Sequence, residues 1–384
     1  MSIAERATQP RAMRTAWVGQ TRVHFGAGAV EQLPQALDLE QFGARVAIVA
    51  SPSQDALGRV ARLRGALGRR AAGTFAQAIV HTPQELYSTA LTELRGASGL
   101  VALGGGAAIG LGKALAVGLG LPLAAIPTTY SGSEMTPIYG IAEGGEKRIS
   151  RSELAQARLV LYDPLLPATL PPYELCTSLV NCLAHCLENA WLADASPLGL
   201  ILSEDACRSI GAQRERVAKD ELDETAATAL MAAAWFGGVA LAVSGVGLHH
   251  ALCHAIGGLT NAAHGAIHTV VLPLVARLND GAGDGAQQRL AAALAGGGLA
   301  GGGPAGGGPA GEDLAGDELA GGSLVDCLEL IYQRWQLPRR LSEIGVQELD
   351  VDATLSHVLG ADSAARNVRQ LDADELRAAL ATIM

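Results

Sequence analysis

Five of the nine histidines in this 384-residue sequence fall between Gly247 and His268, in GLHHALCHAIGGLTNAAHGAIH. They are His249, His250, His254, His264 and His268. His250 and His254 are four residues apart, as are His264 and His268, and side chains four apart on a helix project from one face. Gly257 and Gly258 separate the pairs and are expected to break the backbone or let it pack closely there. Imidazoles gathered in this way bind a metal ion, transfer protons or recognise anions. Earlier in the chain, SLVNCLAHCLENAW puts Asn181, His185 and Glu188 on one helical face. Helices that converge these groups toward a sheet edge would hold a substrate, with a cofactor on the other side of an interdomain crevice.

The elements that must position these groups follow from periodicity. Strand and helix signals alternate through the first part of the chain. Strands are expected near Arg22, at Arg45–Ala50, Thr74–Val80, Gly99–Leu103, Leu123–Ile126 and Leu159–Tyr162, and several are apolar on both faces. That is the pattern of a parallel sheet covered by helices. After Asp163-Pro164 strand signals fade, and Ala/Leu-rich helical segments follow at Glu174–Trp191, Leu198–Val217, Glu224–Val243, Gly247–His254, Ile267–Leu278, Ala286–Ala295 and Leu324–Trp335. The expected architecture is an α/β N-terminal dinucleotide-binding domain with a parallel sheet (residues 1–163) and an all-α C-terminal domain (residues 164–384). Within the latter, residues 296–322 form a Gly/Ala-rich stretch whose composition cannot bury a core and which reads as a linker.

The strand at Gly99–Leu103 runs into Gly104-Gly105-Gly106 and then a helix. Glycines let a backbone approach an anion, and the helix start supplies N–H donors and the positive end of the dipole. The stretch matches neither GxGxxG nor a P-loop, so a plain tight turn is the competing explanation. The following TTYSGSEMTPIYG reads as a hydroxyl-rich loop at the carboxyl edge of the sheet, where open α/β sheets bind ligands. A polar turn is expected at Glu143 to Lys147.

Composition narrows the partners. Lys and Arg number 28 against 38 Asp and Glu, a formal charge of −10. No basic block is present, which argues against nucleic acid. An anionic substrate would need a local hydrogen-bonding or positive site. The six cysteines form no CxxC pair. Cys182, His185 and Cys186 could form a zinc site, while buried free thiols in a reducing cytosol fit the spacing better. The N-terminal stretch has no apolar core of a signal peptide. No glycine-free apolar run suggests a membrane span. A cytoplasmic location is expected.

On the stretches VHFGAGAVEQL, LVALGGGAAIGLGKA, IPTTYSGSEMTPIYGIAE, LVLYDP, NCLAHCLENAW and GLHHALCHAIGGLTNAAHG with IHTVVLP, the sequence resembles the iron-containing alcohol dehydrogenase superfamily, whose fold is related to dehydroquinate synthase. Within it the maleylacetate reductases are most similar. The matches run in order from about residue 22 to 280. The resemblance implies nicotinamide chemistry with NADH or NADPH, and a homodimer. In metal-dependent members an Asp and three His bind iron or zinc, and those positions fall here on Asn181, His185, His250 and His264. The carboxylate is missing, which fits the maleylacetate reductase type and argues against a catalytic metal. The implied activity is reduction of the activated C=C bond of maleylacetate to 3-oxoadipate in aromatic-compound breakdown. His254 and His250 are the expected catalytic residues. Asn181, His185, His264, Tyr130 and Ser131 are expected to bind substrate, and Ser51, Gly104, Gly105, Gly106, Thr128, Thr129, Ser133 and Lys147 to bind cofactor. Lys147 fits a solvated turn equally well. The usual GGGS turn is GGGA here, so Ala107 lacks a hydroxyl, at a cost of about 1 kcal/mol of cofactor binding. A metal-dependent alcohol dehydrogenase, a lyase of the dehydroquinate synthase kind and a non-catalytic binding protein are the alternatives.

Overall fold

The computed structural model describes residues 14–143, 146–260, 262–296 and 322–384, with the side chains of residues 14–18, 146 and 147 outside the description. Apart from Gly296 and Gly322, the expected linker lies outside the described residues. The chain divides into two compact units, Met1–Leu170 and Pro171–Met384. The boundary falls beyond the expected Asp163 because the turn after the last strand is tied back to the first unit. The Arg59 guanidinium donates to the Leu166 carbonyl (3.3 Å) and the Thr169 hydroxyl (2.6 Å).

In the first unit nine strands are described: β1 (Arg14–Val18), β2 (Thr21–Phe25), β3 (Val46–Ala50), β4 (Ala71–Phe75), β5 (Gly99–Gly104), β6 (Leu123–Pro127), β7 (Ile138–Glu143), β8 (Glu146–Arg151) and β9 (Leu159–Tyr162). Seven make one sheet in the order β1-β2-β9-β6-β5-β3-β4. The pairing is parallel throughout except for the antiparallel edge pair β1–β2. Every residue of β3, β5, β6 and β9 is buried, as both faces of the central sheet are covered. Chain order moves outward from β3 to β4, then returns to β5 on the other side of β3 and continues to β6 and β9. The direction reverses between β3 and β5, so the carboxyl ends of these two strands flank the switch point at which such sheets bind ligands.

Two expectations for this unit need correction. The strand placed at Thr74–Val80 is β4, Ala71–Phe75, whose register is set by parallel pairing with β3 rather than by the apolar Ile79 and Val80, both exposed. The hydroxyl-rich loop is shorter than expected. From Ile138 the chain enters an antiparallel hairpin, β7 with β8, pairing Ile138 with Arg151 and Ala142 with Lys147. Alternating polar residues in EKRISR concealed that strand from a search for apolar runs.

The second unit is helical. Pro172–Glu188 begins with proline in the first turn, where its missing N–H costs nothing, and Glu224–Ser244 is capped by the Asp223 carboxylate accepting from the Ala226 amide (2.8 Å). These two helices pack closely because Gly237 has no side chain: a Cβ there would stand 3.0 Å from Cys182 Sγ and 3.3 Å from Cys186 Sγ. Cys182 and Cys186 therefore face a helix–helix contact, away from His185, and the zinc arrangement considered for Cys182, His185 and Cys186 does not form. All six cysteines are free and buried. By length and composition Glu224–Ser244 could cross a membrane, but 67% of that stretch is buried inside the protein. The helix Leu248–Leu259 runs through Gly257 and Gly258 without a break. It ends instead at the extended Thr260, and the next helix, His264–Leu278, starts with His264 itself.

Candidate active site

In the first unit the switch point gathers the residues expected to hold a cofactor. Gly104 adopts φ +146, and a Cβ on it would lie 3.7 Å from Ser51 Oγ. A Cβ on Gly105 would lie 2.7 Å from Thr129 Cγ2, so only glycine lets the β6 loop approach this closely. The Thr128 amide donates to the Gly104 carbonyl at 3.1 Å. Gly105 caps the helix Gly106–Leu119 with no side-chain hydrogen bond, leaving the first-turn amides as donors for an anion. Thr129 Oγ1 and Ser131 Oγ are buried with no partner, and Tyr130 is fully buried. Ser133 is drawn in by a residue the sequence did not single out. Lys113, 1% exposed, donates from Nζ to the Ser133 carbonyl, to Thr136 Oγ1 (3.0 Å) and to the Ile138 carbonyl (3.0 Å). Burial lowers this ammonium to about 7, against the pull of Glu134. Glu134, fully buried, accepts from the Tyr162 hydroxyl at 2.7 Å; burial raises its pKa above the ordinary value despite that bond. The Lys147 side chain lies outside the described residues.

In the second unit three helices converge the histidines. Asn181, His185 and Glu188 come from Pro172–Glu188, His249, His250 and His254 from Leu248–Leu259, and His264 and His268 from His264–Leu278. The imidazoles of His185 and His250 stack with centroids 5.2 Å apart and 19° between planes, and those of His254 and His264 lie 6.2 Å apart at 14°. His254 and His264 are half-buried; the others are buried.

Glu188 is the positioning group. Its carboxylate accepts from the His250 amide (3.1 Å) and from His250 Nδ1 (2.5 Å). Burial pushes the Glu188 pKa up, but the attraction of His250, its two hydrogen bonds and the Gly247 amide outweigh this and hold it below the ordinary value. The ionised carboxylate fixes the proton of His250 on Nδ1 and leaves Nε2 to act on a ligand. The signal for this was present in the i, i+4, i+7 spacing of Asn181, His185 and Glu188, but spacing could not say which histidine Glu188 meets.

His249 and His268 also matter in a way the sequence left unassigned. His268 Nδ1 lies 2.9 Å from His249 Nε2, and His268 Nε2 lies 3.0 Å from His264 Nε2. Burial, and then the neighbouring imidazoles, push His185, His249 and His268 well below the ordinary imidazole value, so these rings are neutral at pH 7. Asn181 Oδ1 and His185 Nδ1 are buried without a partner.

A model of the family described as "Iron-containing alcohol dehydrogenase" matches residues 20–164, and one described as "Fe-containing alcohol dehydrogenase family, C-terminal" matches residues 175–384. The chain belongs to the iron-containing alcohol dehydrogenase family. It is an oxidoreductase. Maleylacetate reductase 2 of Cupriavidus pinatubonensis is 41% identical over 281 residues, covering 72% of this chain and 77% of that protein. The maleylacetate reductase of Burkholderia cepacia is 37% identical over 275 residues, 71% of this chain and 77% of the relative. Among solved structures, maleylacetate reductase from Agrobacterium tumefaciens superposes with a TM-score of 0.79 at 29% identity, covering 98% of this chain and 99% of that one.

The family name implies iron, and the donor set here departs from the one the resemblance implies. Asn181 offers a neutral amide oxygen where the resemblance implies an aspartate, so the cation's charge goes uncompensated. His264 Nε2 is engaged by His268. Glu188 is engaged by His250. His249, Cys253 and His268 place three donor atoms within 4.8 Å of one another. Two of those atoms bond each other, and burial holds the Cys253 thiol well above its ordinary pKa.

Proposed function

We propose that this oxidoreductase reduces maleylacetate to 3-oxoadipate with NADH or NADPH, as a step in the breakdown of aromatic compounds, and that it does so without a catalytic metal. The observation that carries the reading is the cluster of imidazoles around Asn181, in which His185, His249 and His268 are neutral and the Glu188 carboxylate is taken up by hydrogen bonds from His250. Such a cluster is suited to hold a dianionic enone. The relatives named maleylacetate reductase support the same substrate.

The first unit supplies the nicotinamide cofactor's binding groups: Ser51, Gly104, Gly105, Gly106, Thr128, Thr129 and Ser133. Held by these groups, the nicotinamide would supply a hydride to the carbon of the C=C bond remote from the ketone. Charge then spreads over an enolate, which N–H donors can stabilise without a Lewis acid. His185, His264 and the Asn181 amide hold the carboxylate and ketone oxygens. A proton reaches the carbon beside the ketone from His254, whose half-buried position lets it exchange protons with water. His250, oriented by Glu188, completes the donor set. The product carries one hydride and one proton more than the substrate, and the nicotinamide leaves oxidised. We further place the enzyme in the cytoplasm, where its six free thiols stay reduced, and as a homodimer.

A metal-dependent alcohol dehydrogenase is the second reading, favoured by the family's iron and by the close approach of His249, Cys253 and His268. Purified protein is mixed with maleylacetate and NADH or NADPH, with and without chelator, and the nicotinamide absorbance followed. Oxidation unaffected by chelator is expected. No oxidation with either cofactor would sink the proposal, and loss of activity on chelation would transfer it to the second reading.

A further inference from the structure

Both ring nitrogens of His268 are engaged inside the protein, one with His249 and one with His264. His268 is 0% exposed. A neutral imidazole has one N–H and one lone pair, so His268 must donate to one neighbour and accept from the other. Its role toward the buried neighbour therefore dictates its role toward His264.

The buried end sets the direction. His249 is itself 0% exposed, its Nδ1 has no partner, and its Nε2 has two neighbours, His268 Nδ1 at 2.9 Å and Cys253 Sγ at 3.5 Å. Were Nε2 the acceptor, the proton of His249 would sit on Nδ1 as a buried N–H without an acceptor. Orphaned N–H groups are the rarest unsatisfied groups in folded proteins. With the proton on Nε2, the N–H serves His268 and has the sulfur as a second, weaker acceptor, and Nδ1 keeps only a bare lone pair.

We propose that hydrogen bonding runs from His249 to His268 to His264, and that His268 is a positioning residue which keeps His264 Nε2 an acceptor and its proton on Nδ1. Neutral His264 then acts on its surroundings as an N–H donor through Nδ1, the role that binding an anionic oxygen requires. The catalytic consequence rests on the proposed reading of His264 as a substrate donor; the direction of the chain does not.

Two substitutions separate this from a space-filling role. In His268→Gln the amide oxygen can accept from His249 and the NH2 can donate to His264, which preserves the polarity. His268→Leu fills the space and preserves neither bond. Protein labelled with 15N at histidine, with His264 signals assigned from a His264→Asn variant, should show the His264 proton on Nδ1 in wild type and in the Gln variant. The same protein is assayed with maleylacetate. The Leu variant should lose about 10–100-fold in kcat, the usual effect of removing a group that orients a functional histidine, with the KM for NADH unchanged. The Gln variant should keep most of kcat. A His264 proton found on Nε2 in wild type would overturn the proposal. So would a folded Leu variant with wild-type kcat, or a Gln variant as impaired as Leu. If the Leu variant does not fold, the wild-type and Gln spectra still decide. Wild type that shows the Nδ1 proton but does not reduce maleylacetate would refute the substrate reading and leave the hydrogen-bond direction standing.

Discussion

Replacing Glu188 by glutamine tests the centre of the site, since it keeps the shape and removes the charge. In the native protein one carboxylate, 1% exposed, accepts from the His250 amide at 3.1 Å and from its Nδ1 at 2.5 Å. In Glu188→Gln one oxygen still accepts, but the NH2 group faces the second donor. A buried charge-assisted hydrogen bond is lost and a donor is left facing a donor, a cost of about 1.5–3 kcal/mol in stability. His250 also loses the group that fixes its tautomer, and kcat should fall about 10–100-fold. The pH dependence follows from the depressed pKa of Glu188. Its folded value lies below the ordinary 4.5, so the unfolded chain takes up the proton first as pH falls. The carboxylate's contribution is complete above the unfolded value and is lost as pH falls through the folded one. The stability gap between wild type and Glu188→Gln should therefore be full at pH 7 and narrow only below about 4.5. Urea denaturation of both proteins from pH 7 down to pH 3.5 or so, together with steady-state kinetics, measures both quantities. A variant with unchanged denaturation midpoint at pH 7 and kcat within twofold or so of wild type would refute the role assigned to Glu188.

Three further outcomes are expected. His254→Ala should lower kcat by about a hundredfold; a raised KM at unchanged kcat would make His254 a substrate-binding residue instead. Asn181→Asp should raise the affinity for Zn2+ over wild type, read by calorimetry, because it adds an anionic oxygen beside three histidines; no gain over wild type would contradict the weight given to the missing carboxylate. Lys113→Met removes three hydrogen bonds and a buried ammonium whose folded pKa is lowered to about 7 from 10.5. Unfolding frees that lysine to bind a proton, so wild-type stability should rise with pH between about 7 and 10.5 through this group. The variant should lack that component of the slope, and superposable pH–stability curves for the two proteins would contradict it.

Much of this molecule was legible in the residues. The apolar runs at Arg45–Ala50, Gly99–Leu103 and Leu123–Ile126 marked central strands because both faces of the strands found there are buried, and no polar alternation blurs them. The Ala/Leu periodicity after Asp163 marked helices for the same reason of burial, and the spacing within Gly247–His268 placed two histidine pairs on helical faces. Elements whose residues face water were less visible: β8, written EKRISR, carries no apolar signal, and β4 is defined by pairing with β3 rather than by its own composition. The site shows the same division. The sequence determined which imidazoles and which amide are available and that the aspartate expected of a metal-dependent relative is absent, because these are facts of residue type and local spacing. Only the tertiary structure decided that Glu188 meets His250, that Lys113 ties down the loop after β6, and that His268 bridges His249 and His264. Apart from His264–His268, four apart on one helix, those pairings join residues from 19 to 62 positions apart, through His249–His268 and Glu188–His250. They are set by how helices pack, and helical periodicity specifies the face a side chain occupies without specifying what lies opposite it.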